Sequence, residues 1–229
     1  MTAEQLGPTI GRIETTPFRL VSQETGARPS IGVALLIVGI DPRRNGDNTT
    51  DPLIWTITEL QAKAETEKKA GEISIPAETK KVGEHRVANI LGALAEFCDD
   101  NAIPQLAEHF FLADGFYRER GIIINGHPVD LSVLVYNGPL DIPFTPESST
   151  EVGANGWVNR SKIRRMDGVR SILSQAIELD IMEGITNRAI EAYYNSSEMA
   201  QIFSSGFSMK DFFEKREALP DVPIYPLIK

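Results

Sequence analysis

Few side chains in this sequence are of a type and spacing that do chemistry unaided. The single cysteine, Cys98, excludes a disulfide framework and a thiolate metal cage within the chain. It falls on the apolar stripe of a predicted helix, where a thiol is expected to be buried and inert rather than nucleophilic. The three histidines, His85, His109 and His127, are not paired at metal-ligand spacing. A short basic run, Lys162-Ile-Arg-Arg165, has the composition of a local anion patch, but runs of this kind usually face water at the start of a helix. The net charge of −9 argues against a nucleic-acid-binding surface as the main function. What remains is a scatter of carboxylates, lysines and aromatic rings, which acquire a role only if the fold gathers them.

The elements that could gather them centre on the stretch from Gly71 to Asp99. In Ile73-Ser74-Ile75-Pro76 the apolar side chains alternate, as in a half-buried strand that Pro76 ends. Ala77 to Glu84 is charged and closes on Val82-Gly83-Glu84, a turn into a helix. Val87, Ile90, Leu91, Leu94 and Cys98 then recur at helical period and define one amphipathic helix.

On either side, hydrophobic patterning predicts further strands. Ile31 to Ile40 is apolar throughout and rich in β-branched residues, the mark of a strand buried on both faces. Its length of about ten residues is far short of the ~20 that a membrane span requires. Asp41 to Thr50 is dense in turn formers, Leu53 to Ile57 is the next strand, and Ala62 to Lys69 is a charged connector. Asn125-Gly126 lies between two apolar runs, Phe116 to Ile124 and Val129 to Tyr136, and predicts a β-hairpin. Asn137 to Asn155 is a long Pro/Ser/Thr-rich loop, and Gly156 to Val158 a short strand with Asn159 or Ser161 as the next N-cap.

Apolar positions from Ile163 through Leu173 to Ile181 predict one helix ending at Gly184, followed by helices over Ile185 to Phe203 and Ser208 to Ala218. The expected organisation is an amino-terminal arm or edge strand over 1–29, a domain over 30–183 and a helical extension over 184–229. No basic region or apolar core precedes Gly7, so no signal peptide is expected, and a soluble cytoplasmic protein is the default.

Strand, loop and helix in this order, with an acidic residue at the loop-to-helix junction, resemble the Nudix box. Glu84 falls on the first glutamate of that box, Leu94 on its aliphatic residue and Glu96 on the first glutamate of the closing pair. Gly92, Ala93, Phe97 and Asp99 stand where the family has arginine, glutamate, glutamate and glycine, and Glu78 stands for the opening glycine. The likeness extends over roughly residues 30 to 180 and includes the Trp157-Val158 pair before the last helix of the domain. It implies an α/β (α+β) fold, a Nudix-like mixed sheet sandwiched between helices, with the helical extension at its carboxyl end.

For the site, the resemblance implies magnesium or manganese held by carboxylates, with Glu84 and Glu96 as the metal ligands left in place. Some family members draw a base from the loop before the final helix, so Glu147 and Glu151 are candidates beside Glu96 for the catalytic carboxylate. Lys80 and Lys81 are point charges of the kind that meet phosphates, and Tyr117 a ring that stacks on a base. Trp55 and Trp157 could do the same, although strand positions favour the core.

Three readings follow. The first is a Nudix-like protein that binds a nucleotide or nucleoside diphosphate derivative without the family's hydrolysis. The second is a divergent magnesium-dependent hydrolase using Glu84, Glu96 and a loop acid. In the third, the helices after Gly184 form a dimerisation or docking unit through Phe203, Phe207, Phe212 and Phe213. The replaced box residues favour the first.

Overall fold

The computed structural model describes residues 30–44, 48–81, 86–97, 109–111, 117–141 and 150–195. Strands are β1 (Gly32–Gly39), β2 (Leu53–Glu59), β3 (Ile73–Ser74), β4 (Ala77–Thr79), β5 (Phe110–Phe111), β6 (Tyr117–Ile124), β7 (His127–Tyr136) and β8 (Val152–Asn159). Helices are α1 (Arg86–Phe97), α2 (Arg160–Ile163), α3 (Ser171–Glu183) and α4 (Ile185–Asn195). All eight strands form one mixed sheet with helices on both faces, the α+β arrangement expected from the sequence.

β1 is the spine. Each of its residues is buried, as a continuous apolar run predicts for a strand covered on both faces. It runs parallel to β7 from Val33↔Asp130 to Gly39↔Tyr136. On its other edge it pairs antiparallel with β4 at its start and β2 at its end. Ala34, Leu36 and Val38 share a face with Leu131, Val133 and Val135 and pack against Ile172, Leu173, Ala176 and Ile177 of α3. Leu35 and Ile37 face the opposite way, where α1 crosses β1 and β4 and buries Ile90, Leu91 and Leu94.

β7 is also buried along its whole length, although its sequence alternates apolar with polar. With both faces covered, its polar positions turn inward and must find partners there. Asp130 accepts the Arg120 N–H at 2.8 Å, in a bulge of β6 where Arg120 has φ 53°. The Asn125-Gly126 hairpin forms as predicted, both residues at positive φ (49° and 74°) and Ile124 opposite His127.

Three boundaries differ from the sequence reading. Ala77–Thr79, expected in a loop, is a strand because its backbone pairs with β1. β8 begins at Val152 rather than Gly156 and pairs along β2, shortening the loop before it. The single helix expected from Ile163 to Ile181 is broken: Gly168 turns at φ 70°, and residues 168–170 hydrogen-bond to Ile73 as an added edge segment before α3 starts. In α4, Ile185, Ala189 and Ile190 pack into the same core as α3. Gly184 itself ends α3 at φ 62° with its N–H on the Asp180 carbonyl, as predicted.

The expected strand over residues 18–21, the helices beyond 195 and the phenylalanine patch lie outside the described residues. Among the described residues, no helix is long and apolar enough to cross a membrane.

The start of α2 is capped from a distance. Asn159 holds the N-cap position without a side-chain cap bond, and neither it nor Ser161 supplies one. Instead the Asp51 carboxylate accepts the Ser161 N–H at 2.8 Å, the Ser161 hydroxyl at 2.7 Å and the Asn159 amide at 3.0 Å. Burial pushes the Asp51 carboxyl up, but these donors outweigh it and hold it below the usual aspartate range. A depressed native pKa adds stability at pH above about 3.9 that is lost as pH falls through the native value. In urea unfolding between about pH 6 and pH 2, Asp51→Asn is therefore expected to lower stability near neutrality and to flatten its fall with acid. An unchanged acid slope would contradict this role.

Candidate functional site

At the amino-terminal end of β1 the two layers part around a cavity of about 450 Å³. Its apolar lining comes from Ile31 and Val33 beside β4, Ile124 and Val129 at the hairpin, and Ile172 in the first turn of α3. Its polar lining is Glu59, Lys63, Lys68, Glu78, Glu151 and Arg170, with three threonines. β4 forms one wall because β1 approaches it closely: a Cβ at Gly32 would run into the Glu78 carbonyl. The segment that leads into α1 is thus part of the cavity.

The chemistry of this cavity is set by one carboxylate. Glu59 ends β2, its side chain only 3% exposed, and both of its oxygens are taken. Arg170 Nη1 lies 2.8 Å from Oε1, and Lys68 Nζ lies 2.8 Å from Oε2. Arg170 also donates from Nη2 to the Thr66 carbonyl at 2.7 Å, so the guanidinium closes the turn over residues 63–68 as well. Its Nε is buried with no hydrogen-bond partner among the described residues. Lys68 reaches outward to Glu151 Oε2 at 3.9 Å, and the Glu151 side chain is 67% exposed at the rim. Lys63 lines the same rim and is exposed.

The site residues expected from the sequence are distributed unevenly. Glu151 lines the cavity, paired loosely with Lys68. Lys80 is not a loop cation: it is 4% exposed, at the end of β4, with Nζ 3.7 Å from Asp130 Oδ2. Lys81 is half-buried and is not among the cavity's lining residues. Trp55 is buried in the core and packs edge to face at 5.2 Å on the half-buried Trp157, which stacks on Tyr136 at 5.7 Å, and neither lines the cavity. Tyr117 lies on β6 opposite Ser132, and Glu96 on α1; their side chains, and all of Glu84 and Glu147, lie outside the described residues.

Magnesium finds no fitted site among the described side chains. No three His, Cys, Asp or Glu groups among them converge in a metal-binding geometry. The one described carboxylate of the expected set, Glu151, faces a lysine.

Sequence reasoning missed Glu59, Lys68 and Arg170. A signal existed for two of them. Glu59 continues the alternation of β2 past its apolar run, and Arg170 sits at a position of the apolar stripe read from Ile163 to Ile181. A charge at an inward position is either a break in the element or half of a buried pair. Arg170 is both.

No family model and no curated protein matches the chain. Among solved structures it is similar to a MutT protein from Methanosarcina mazei Go1, at 14% identity over 69% of this chain and 96% of that one, with a TM-score of 0.45. It is also similar to the Nudix hydrolase RenU from M. smegmatis, at 8% identity over 71% and 88% of the two chains, TM-score 0.48. A third similar structure is a C. elegans Ap4A hydrolase, at 11% identity over 71% and 97%, TM-score 0.42. At these identities and TM-scores the likeness assigns no ligand, metal or reaction.

The Glu59 cluster has a measurable energetic consequence. Removing one partner of a buried ion pair strands the other charge, typically at a cost of about 3–5 kcal/mol, whereas replacing both can be nearly neutral. Glu59→Leu, which strands both Arg170 and Lys68, is expected to lower the urea-unfolding free energy by roughly that amount, whereas Arg170→Met, which leaves Lys68 on Glu59, costs less. A Glu59→Leu loss below about 1 kcal/mol, the range of exposed pairs, would contradict a buried cluster.

Proposed function

We propose that this chain is a Nudix-like protein that binds a nucleotide or nucleoside diphosphate derivative in the cavity between β4 and α3, without the metal-dependent hydrolysis of the family. The observation that carries this reading is the cavity's two-sided lining. In the cavity apolar side chains, among them Ile31, Val33, Ile124 and Ile172, meet a charged set in which Lys63, Lys68 and Arg170 stand beside Glu59, Glu78 and Glu151. Its volume of about 450 Å³ lies within the roughly 300–1,000 Å³ usual for small-molecule sites. The position supports the same reading, since Ala77, Glu78 and Thr79, which lead into the Nudix-box-like stretch, form one wall.

The absence of hydrolysis is inferred from the box. Gly92, Ala93, Phe97 and Asp99 replace the arginine, two glutamates and glycine of the family. An apolar or small residue at a glutamate position cannot hold a hard cation. A glycine at position 92 also lacks the guanidinium that would organise the loop, and it costs about 1 kcal/mol in a helix interior.

Thermal unfolding against nucleoside diphosphate derivatives, with and without magnesium, tests both parts. A ligand at a hundredfold excess over its Kd stabilises by about 2.7 kcal/mol, which for a chain of this size raises Tm by roughly 2–4 °C per kcal/mol. We expect such a rise with at least one compound, independent of magnesium and without product formation. Ala77→Phe, which fills the cavity, should abolish it. Lys63→Glu, a change at an exposed side chain that spares the fold, should weaken it. A rise that survives both variants would place the ligand elsewhere. Magnesium-dependent turnover abolished by Glu96→Gln would overturn the non-hydrolytic reading.

A further inference from the structure

We propose that Glu151 is a built-in competitor for the cavity: its carboxylate holds Lys68 from the rim, and an anionic group entering the cavity must displace it. This rests on the reading of the cavity as a site for a phosphorylated ligand, and concerns what sets its affinity.

The argument begins with charge. Glu59 takes a hydrogen-bonded contact from Arg170 on one oxygen and from Lys68 on the other, both at 2.8 Å and both largely out of water. Two cations thus share one carboxylate, and Glu78 and Glu151 are the further acids of the cavity lining. Glu78 lines the same cavity, but the ion pair that extends the cluster is the one from Lys68 to Glu151. At 3.9 Å it is at the outer limit of an ion pair, and the Glu151 side chain is 67% exposed, so the contact is weak and reversible.

The backbone beneath Glu151 is by contrast fixed. Its carbonyl accepts the Leu60 N–H at 2.8 Å, the Thr150 carbonyl accepts the Gln61 amide at 3.1 Å, and Val152 pairs with Glu59 in the β2–β8 ladder. The carboxylate therefore swings on an anchored stem. Turned inward it neutralises Lys68; turned outward it frees Lys68 for an oxygen of the ligand, alongside Lys63. A phosphoryl group brings more negative charge and more acceptor oxygens than one carboxylate, so it wins the exchange, while a neutral ligand of the same shape does not. The rim residue thus lowers the affinity of every ligand that needs Lys68.

The test is calorimetric titration of the full chain with inorganic pyrophosphate at low salt. Glu151→Gln, which removes the charge but keeps the shape, is expected to bind about 1.5- to fivefold tighter than wild type, the range of an exposed charge contact. Glu151→Asp separates contact from plain repulsion, because it keeps the charge and withdraws it by one methylene. Competition at Lys68 moves it towards the glutamine variant, whereas repulsion alone leaves it with wild type. Pyrophosphate binding that is unchanged or weaker in Glu151→Gln overturns the competitor and leaves the cavity reading standing. A gain in Glu151→Gln with none in Glu151→Asp also overturns competition at Lys68. Binding by none of the three proteins overturns both the competitor and the phosphate side of the proposed function.

Discussion

The burial of Glu59 between Arg170 and Lys68 is the constraint on which this end of the molecule depends. A carboxylate cannot be taken out of water singly, so placing one at the end of β2 obliges a cation to come to it, and here two do. Each cation brings a segment of chain. Arg170 brings the residues that add to the edge of β3 and the start of α3, and through Nη2 it fixes the turn over 63–68. Lys68 brings the far side of that same turn and, through Glu151, the entry to β8. Residues of these segments line the cavity.

The rest of the fold serves to fix these segments relative to one another. β1 and β7 form a parallel pair buried on both faces, with α3 and α4 on one face and α1 on the other. The cavity lies at the end of this sandwich that is lined by β4, Ile124, Val129 and Ile172. α1, which carries the Nudix-box-like pattern, packs on β1 and β4 with Ile90, Leu91 and Leu94 buried. Its described side chains therefore contribute to the core, and the described polar groups that face the cavity come from outside the helix.

Much of this architecture was legible in the sequence because it rests on periodicity. The unbroken apolar run of Ile31 to Ile40, the Asn125-Gly126 hairpin and the Gly184 helix end each follow from a local rule that the tertiary structure does not oppose. The errors came where distant backbone decided. Ala77–Thr79 is charged and looks like a loop, yet β1 supplies it with strand partners. Residues 164–170 keep a helical pattern, yet Gly168 and the edge of β3 interrupt it.

The site was less legible than the fold. Motif reasoning pointed to Lys80, which is buried against Asp130, and to Glu151, which lines the cavity beside a lysine that no motif singled out. Glu59 and Arg170 lie far apart in sequence and no local spacing joins them. Charges at inward positions mark such a pair, but only the fold says which charge meets which.

The central claim, that the cavity beside Arg170 is where this protein meets its ligand, is tested most directly by isoleucine-methyl NMR during titration with a nucleoside diphosphate. The account predicts that the methyls of Ile31, Ile124 and Ile172, which line the cavity, shift together and saturably. Those of Ile37 and Ile90, buried on the α1 face, should stay in place. Shifts concentrated on Ile37 and Ile90 with the cavity methyls unmoved would contradict it.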